Sequence, residues 1–182
     1  MSGAAHPQPD TLQVRRAVDG DWPGIWAVME PIVRAGQTYC WDRDMDEGTA
    51  RDEWMEPAPA AVYVAVDGDG TVVGTALLHP NRSGPGDHVA NASFMTHAAH
   101  GGRGIARRLA GHVLAEARAQ GYTAMQFNAV VEANRRAVAL WQSLGFRILA
   151  TVPEAFRHPT EGLTGLHIMY RALEPEAADP GE

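Results

Sequence analysis

Residues 88 to 106 constrain the fold most. They read as a strand, His88-Val89-Ala90-Asn91-Ala92-Ser93-Phe94-Met95-Thr96, that runs through a short loop into Gly101-Gly102-Arg103-Gly104-Ile105-Ala106. Past the glycines, Ile105, Leu109, His112, Val113, Glu116, Ala117 and Gln120 recur at helical spacing with an apolar stripe along one side, which puts the turn at a helix N-terminus. The first four amides of a helix have no acceptor within it, and the macrodipole adds roughly half a positive charge there, so backbone alone can hold a phosphate. Glycine at 101, 102 and 104 lets a ligand approach the backbone and permits positive φ. Apart from a plain turn or cap, three phosphate readings compete. A P-loop needs a Gly-Lys-Ser/Thr that does not follow here, leaving nothing to reach terminal phosphates or hold magnesium. A dinucleotide fingerprint needs a third glycine, where Arg107 stands, and an acid about 20 residues on to hold a ribose, which is also missing. The pyrophosphate of coenzyme A remains.

A chain of 182 residues is long enough for one domain with a real core and too short for two comfortable ones. The expected organisation is a flexible tail at 1–10, a single domain at 11–173 and a flexible acidic tail at 174–182, since both ends are polar, acidic and proline-containing. A net charge of −7 and a pI near 5.6 argue against general affinity for nucleic acid or an anionic membrane. Arg103, Arg107 and Arg108 nevertheless form a local basic group suited to phosphate. Cys40 is the single cysteine, and no apolar run resembles a signal peptide or a bilayer span, so a reduced, cytoplasmic protein is expected. His97 and His100 are three apart without a further ligand close by, so no metal site is expected.

In chain order, Leu12, Val14 and Ala17 begin a short strand, and Asp19, Asp21 and Pro23 mark a helix start. Trp22, Ile25, Trp26, Met29, Ile32 and Val33 share one face of that helix, which Pro31 should kink or interrupt. Gly36 to Trp41 is a loop in which Thr38, Tyr39 and Trp41 either line a substrate pocket or cap the core. A second helix is expected over Asp42 to Glu56. Ala61–Val66, Asp67-Gly68-Asp69-Gly70 and Thr71–Leu78 form a strand-turn-strand hairpin. Tyr122 to Val131 is apolar on both faces and reads as a buried strand parallel to residues 88–96, joined to them by a crossover helix. Glu132 to Leu144 reads as a helix stopped by Gly145, and Phe146–Val152 and Leu166–Leu173 read as two more strands with a loop between. The order β-α-α-β-β-β-α-β-α-β-β makes an α/β chain with a largely antiparallel first half.

This order, the glycine turn and the segment Asn134 to Phe146 resemble the GNAT superfamily of N-acetyltransferases over about residues 12 to 173. The family's turn begins with Arg or Gln, where Gly101 stands; the rest of Gly101-Gly102-Arg103-Gly104-Ile105-Ala106 fits. Its second pattern, an Asn, an apolar face, a Tyr and a Gly-Phe, is met by Asn134, Ala137, Leu140, Trp141, Gly145 and Phe146, with tryptophan in place of tyrosine. In many members that phenol protonates the departing thiolate, and an indole N–H is far too weak an acid to do so.

The resemblance implies a mixed, mostly antiparallel sheet with a parallel strand pair splayed around acetyl-CoA and flanked by helices. Phe94, Met95 and Thr96 would offer backbone groups to the pantetheine arm, Gly101, Gly102, Arg103, Gly104, Ile105 and Ala106 would hold the pyrophosphate, and Asn134 and Trp141 would meet the arm near the thioester. The bland alternatives are a polar helix start for Asn134 and core packing for Trp141.

Asn91 and Asn128 interrupt strands otherwise made of apolar and small residues, although asparagine disfavours strands. They converge on the cleft if the strands are neighbours, or else complete an internal hydrogen-bond network. With Asn134 and Trp141 they resemble a branch of the superfamily that detoxifies azetidine-2-carboxylate, a toxic proline analogue, and so confers resistance to it; there the matching asparagines are catalytic. The implied activity is direct acetyl transfer to a small amine, with an amide of the 88–96 strand, Met95 foremost, stabilising the carbonyl oxygen. Cys40 lies in the wrong region for a nucleophile. Glu132 and His97 are candidate proton acceptors or merely solvent-facing residues. The rivals are acetylation of a protein N-terminus or lysine, and a non-catalytic acyl-CoA sensor. The resemblance also implies a homodimer.

Overall fold

Ala61–Val66 is buried at every position, a pattern reserved for strands covered on both faces, and the sheet is assembled around it. The computed structural model describes residues 12–100 and 104–173. The strands are β1 (Gln13–Arg16), β2 (Ala61–Val66), β3 (Val72–Pro80), β4 (Val89–Thr96), β5 (Ala124–Val131), β6 (Arg147–His158) and β7 (Gly162–Ala172). The helices are α1 (Trp22–Ala35), α2 (Glu47–Trp54), α3 (Ile105–Ala119) and α4 (Arg135–Ser143). The tails expected at 1–10 and 174–182 and the phosphate contacts expected of Gly101, Gly102 and Arg103 lie outside the described residues.

All seven strands share one sheet in the order β1-β2-β3-β4-β5-β7-β6. Every neighbouring pair is antiparallel except β4 and β5. That parallel pair aligns only Val89 with Ala124 and Ala90 with Met125, and beyond those positions the strands part. The expected splayed pair is therefore present. The sheet divides two cores. On one face Ala90, Ala92, Met125 and Phe127 pack with α3 and α4 through Leu109, Val113 and Trp141; on the other Leu77 and Met95 pack with Ile25, Met29 and Trp54 of α1 and α2.

Several element boundaries depart from the sequence reading, among them the start of β7 at Gly162 in place of Leu166. Helix α1 continues through Pro31 to Ala35 and ends at a left-handed Gly36, so the loss of one proline donor does not interrupt it. The helix expected from Asp42 starts at Glu47. Asp42 turns its carboxylate to the Asp44 N–H (2.9 Å), and Asp46 caps the helix through the Thr49 N–H (3.0 Å); such local bonds favour a turn and a cap over continued helix. Likewise α4 starts at Arg135 behind the cap residue Asn134. Strand β6 runs to His158, taking in Phe156, Arg157 and His158, which the sequence placed in a loop. Its register shifts between Val152 and Phe156, and this bulge accommodates Pro153 on an edge strand.

One buried polar chain links α2 to the sheet. Trp54 Nε1 donates to Thr75 Oγ1 (3.0 Å), whose hydroxyl donates to the Tyr63 carbonyl (3.1 Å), and both Trp54 and Thr75 are fully buried. Thr75→Val keeps the shape but orphans the indole N–H, so it should lower unfolding free energy in urea by about 1 to 3 kcal/mol. An unchanged denaturation midpoint would show that this bond contributes nothing to the fold.

Candidate functional site

The gap between β4 and β5 exposes strand-edge backbone that the sheet cannot satisfy. In an antiparallel pair, alternate residues exchange both hydrogen bonds with the partner while those between them point the other way. His97 N–H bonds Val73 O, and Asn81 N–H bonds Val89 O; with Thr75 opposite Met95, the odd-numbered residues of β4 face β3. Ala92, Phe94 and Thr96 therefore turn their amides to the gap. Met95, the amide expected to meet a carbonyl oxygen, is turned to β3 instead; Phe94 holds the gap-facing position.

Phe94 shows this orientation directly. Tyr39 Oη donates to Phe94 O (2.8 Å) and accepts from Phe94 N–H (3.0 Å). Burial pushes the Tyr39 phenol pKa up, against the smaller lowering effect of its bond to Phe94, so it stays a neutral donor and acceptor at physiological pH. Tyr39 is held beside Trp41 (ring centroids 5.6 Å apart), and Trp41 sits edge-on to Trp54 (6.0 Å). Of the loop residues singled out, Tyr39 and Trp41 thus both pack on the α1/α2 core, while Thr38 is half-buried nearby in sequence.

At the open end of the gap, Gly104 adopts φ 71° and precedes α3 without a side-chain cap. A Cβ there would touch nothing within 4 Å, so it is the left-handed backbone that calls for glycine. The first intrahelical bond runs from Arg108 N–H to Gly104 O, leaving the amides of Ile105, Ala106 and Arg107 without helical acceptors. Of the basic group, Arg107 donates to Ser143 Oγ (2.7 Å) and Arg108 to Leu12 O (2.8 Å).

An aromatic group lines the α3/α4 side. The Trp141 ring lies 4.9 Å from both Phe94 and Phe127, and Phe127 stacks on Phe146 at 4.3 Å. Trp141 is buried. Asn134 accepts from Ala137 N–H (3.3 Å) as the cap of α4, so its side-chain oxygen is committed there.

The asparagines occupy the other face. Ala90, Ala92, Met125 and Phe127 point to α3 and α4, so by strand alternation Asn91, Ser93, Gln126 and Asn128 point to the α1/α2 side. The two strand asparagines do share a face. Asn128 sits where the β5 to β7 register shifts, between Phe127 and Val130. Its Nδ2 donates to Asn81 Oδ1 (2.7 Å), and its Oδ1 accepts from Gln126 Nε2 (2.9 Å). Asn81 was missed from sequence because it lies 47 positions from Asn128 in a loop that reads as a plain turn. Of the proton-acceptor candidates, Glu132 accepts from Gly165 N–H (3.0 Å), and His97 Nδ1 accepts from Ala99 N–H (3.2 Å). Cys40 is exposed, but local desolvation raises its thiol pKa, the opposite of what a nucleophile needs.

A separate cleft of about 630 Å³, lined by Glu56, His79, Arg82, Asp87, His88 and Tyr122 among others, lies at the closed end of the strand pair and does not include Phe94. Among the described residues no group of three or more His, Cys, Asp or Glu side chains could hold a metal ion, and no helix is long and apolar enough to cross a membrane.

Comparison with known proteins gives a consistent picture. The model of the acetyltransferase (GNAT) family matches residues 26–146. The chain is 27% identical over 139 residues to the N-acetyltransferase aca1 of Schizosaccharomyces pombe, covering 69% of this chain and 66% of that protein. It is 30% identical over 117 residues to the L-amino acid N-acyltransferase MnaT of Escherichia coli, covering 63% and 67%. The match thus spans about two thirds of these relatives' length. Among solved structures, a GCN5-related N-acetyltransferase from Kribbella flavida superposes with a TM-score of 0.86 at 54% identity, covering 89% of this chain and 98% of that one. The yncA protein of Salmonella typhimurium, solved with its cofactor acetyl-CoA, superposes with a TM-score of 0.76 at 26% identity, covering 93% and 98%.

The aromatic wall predicts a graded response. Trp141→Ala should cost about 3 to 5 kcal/mol of unfolding free energy, and Trp141→Phe clearly less, because a ring still fills the space between Phe94 and Phe127. Equal losses in a urea titration would mean that Trp141 is held by something other than this packing.

Proposed function

This chain belongs to the acetyltransferase (GNAT) family, and from that premise we propose that it is an acetyl-CoA-dependent N-acetyltransferase acting on a small amine, with a cyclic imino acid such as azetidine-2-carboxylate as the acceptor class. The observation that carries the reading is the edge of β4 that β5 leaves without a strand partner: Phe94 presents both an N–H and a C=O to the gap, where they meet Tyr39. A thioester arm lying along that edge would find the same two groups. The amides of Ile105, Ala106 and Arg107, at the N-terminus of α3, would receive the pyrophosphate, and the wall of Phe94, Phe127 and Trp141 would enclose the arm.

When bound, acetyl-CoA supplies an acetyl thioester: the amine nitrogen forms a bond to its carbonyl carbon, the C–S bond breaks, and the proton lost by the nitrogen balances the one gained by sulfur. The chain contributes position and dipoles. Phe94 N–H is oriented to stabilise negative charge on the carbonyl oxygen. Asn91 and Asn128, on the opposite face from the aromatic wall, orient the acceptor, with Asn81 and Gln126 fixing the Asn128 amide in turn. Neutral amides suit an imino acid, because they hydrogen-bond its amine and carboxylate without adding net charge. Trp141 is wall and not acid, so the sulfur takes its proton from solvent. The likeness to an L-amino acid N-acyltransferase supports an amino-acid-like acceptor. Resistance to a toxic amino-acid analogue would be the biological consequence. A homodimer is the assembly that the family resemblance implies.

Two measurements test this reading. Thiol release from acetyl-CoA against a panel of amino and imino acids should be fastest with azetidine-2-carboxylate or another proline analogue; ready turnover of primary amines alone would refute the acceptor class. Asn91→Ala and Asn128→Ala should each lower kcat by about 10²-fold or more, the scale of losing one preorganised polar contact, with acetyl-CoA affinity nearly unchanged. Wild-type kcat in both variants would remove the asparagines from the site.

For the cofactor, Gly104→Val forces a β-branched residue into a left-handed conformation at the head of α3. The variant should bind acetyl-CoA at least 10-fold more weakly while keeping its circular dichroism spectrum. An unchanged dissociation constant would place the phosphate elsewhere.

A further inference from the structure

The loop between α1 and α2 reaches across the molecule to take the polar groups that the sheet leaves free. Tyr39 Oη is both donor to Phe94 O (2.8 Å) and acceptor from Phe94 N–H (3.0 Å), across 55 residues of sequence. A phenol oxygen accepting that N–H stands where an acyl carbonyl oxygen would stand. Each backbone N–H makes one good bond, so phenol and carbonyl compete for it. The loop has independent anchors behind Tyr39: Arg34 Nη1 donates to Met45 O (2.9 Å), and Arg43 Nε donates to Arg34 O (2.8 Å). These bonds do not depend on Phe94, so Tyr39 can leave the strand without unravelling the loop ends.

We infer that Tyr39 is an internal ligand of the acyl-carbonyl seat, which acetyl-CoA must eject, so that cofactor binding releases the aromatic loop bearing Trp41 on the acceptor side. The inference rests on the acetyl-CoA reading above. It makes Tyr39 a positioning residue that couples the two sides of the sheet: the loop covers Phe94 until a carbonyl replaces the phenol, and acceptor then binds to a rearranged wall. Binding is ordered, cofactor before amine. The device needs no charge change, because the Tyr39 phenol stays neutral throughout the physiological range.

The test compares Tyr39→Phe with wild type by calorimetric titration of acetyl-CoA and, separately, of coenzyme A, which has no acyl carbonyl. The substitution removes one oxygen and keeps the ring on Trp41. It strips the free protein of two hydrogen bonds that the complex does not use, so acetyl-CoA should bind about 10-fold more tightly, the factor that corresponds to roughly 1.4 kcal/mol. Coenzyme A should gain much less. Unchanged or weaker acetyl-CoA binding, or an equal gain for both ligands, overturns the inference. Failure of wild type to bind either ligand instead overturns the acetyl-CoA reading itself.

Hydrogen exchange on the wild-type chain gives a second readout that does not depend on the variant folding. With acetyl-CoA, peptides covering residues 36–46 should exchange faster while those covering 89–96 exchange more slowly. Slower exchange in both segments would show that the loop closes on the cofactor, which contradicts ejection.

Discussion

The N–H and C=O of Phe94 are the constraint around which the rest of the structure is arranged. Parallel strands that stay paired would consume them; because β4 and β5 hold register only at Val89 and Ala90, they are left over, and a half-buried backbone group without a partner is costly. Tyr39 satisfies them here. The crossover through α3 sets the geometry, since the same connection that makes β4 and β5 parallel also delivers a helix N-terminus beside the open end of the gap. One topological choice yields both a free strand edge and a free helix N-terminus.

The sheet also separates two chemical environments. Apart from Thr96, side chains of β4 and β5 that face α3 and α4 are apolar or aromatic, and Phe94 and Phe127 join Trp141 and Phe146 in one group. Those that face α1 and α2 include Asn91, Ser93, Gln126 and Asn128, and Asn128 is tied to Asn81 and Gln126. Period-two alternation along two neighbouring strands is enough to place an apolar channel wall and a row of neutral amides back to back. In the proposed reading, a ligand threaded between the strands would be enclosed on one side and approached by a polar acceptor from the other.

Much of this was legible in the sequence, for identifiable reasons. Gly104 at the head of α3, the hairpin around Asp67 to Gly70 and the twin strands carrying Asn91 and Asn128 are local signals, each written within about ten residues and each governed by backbone sterics or strand alternation. What was not legible depends on long-range pairing. Nothing near Tyr39 signals a bond to a backbone 55 positions away, and nothing near Asn81 signals Asn128. The orientation of Phe94 over Met95 follows from the β3 to β4 register, which a single sequence does not specify. Local polar bonds misled in the other direction: Asp42 and Asp46 read as helix, whereas their carboxylates hold a turn and a cap. On β6, Phe156 to His158 read as loop, although the strand continues to His158 past a bulge between Val152 and Phe156.

The central claim, that an acyl thioester is held on the unpaired edge of β4, is tested most directly by a crystal structure of the protein with acetyl-CoA. The account predicts the acetyl carbonyl oxygen within hydrogen-bonding distance of Phe94 N, with the pyrophosphate on the amides of Ile105 to Arg107. A cofactor lying outside the gap between β4 and β5, or one whose carbonyl oxygen meets no gap-facing amide of β4, would contradict it.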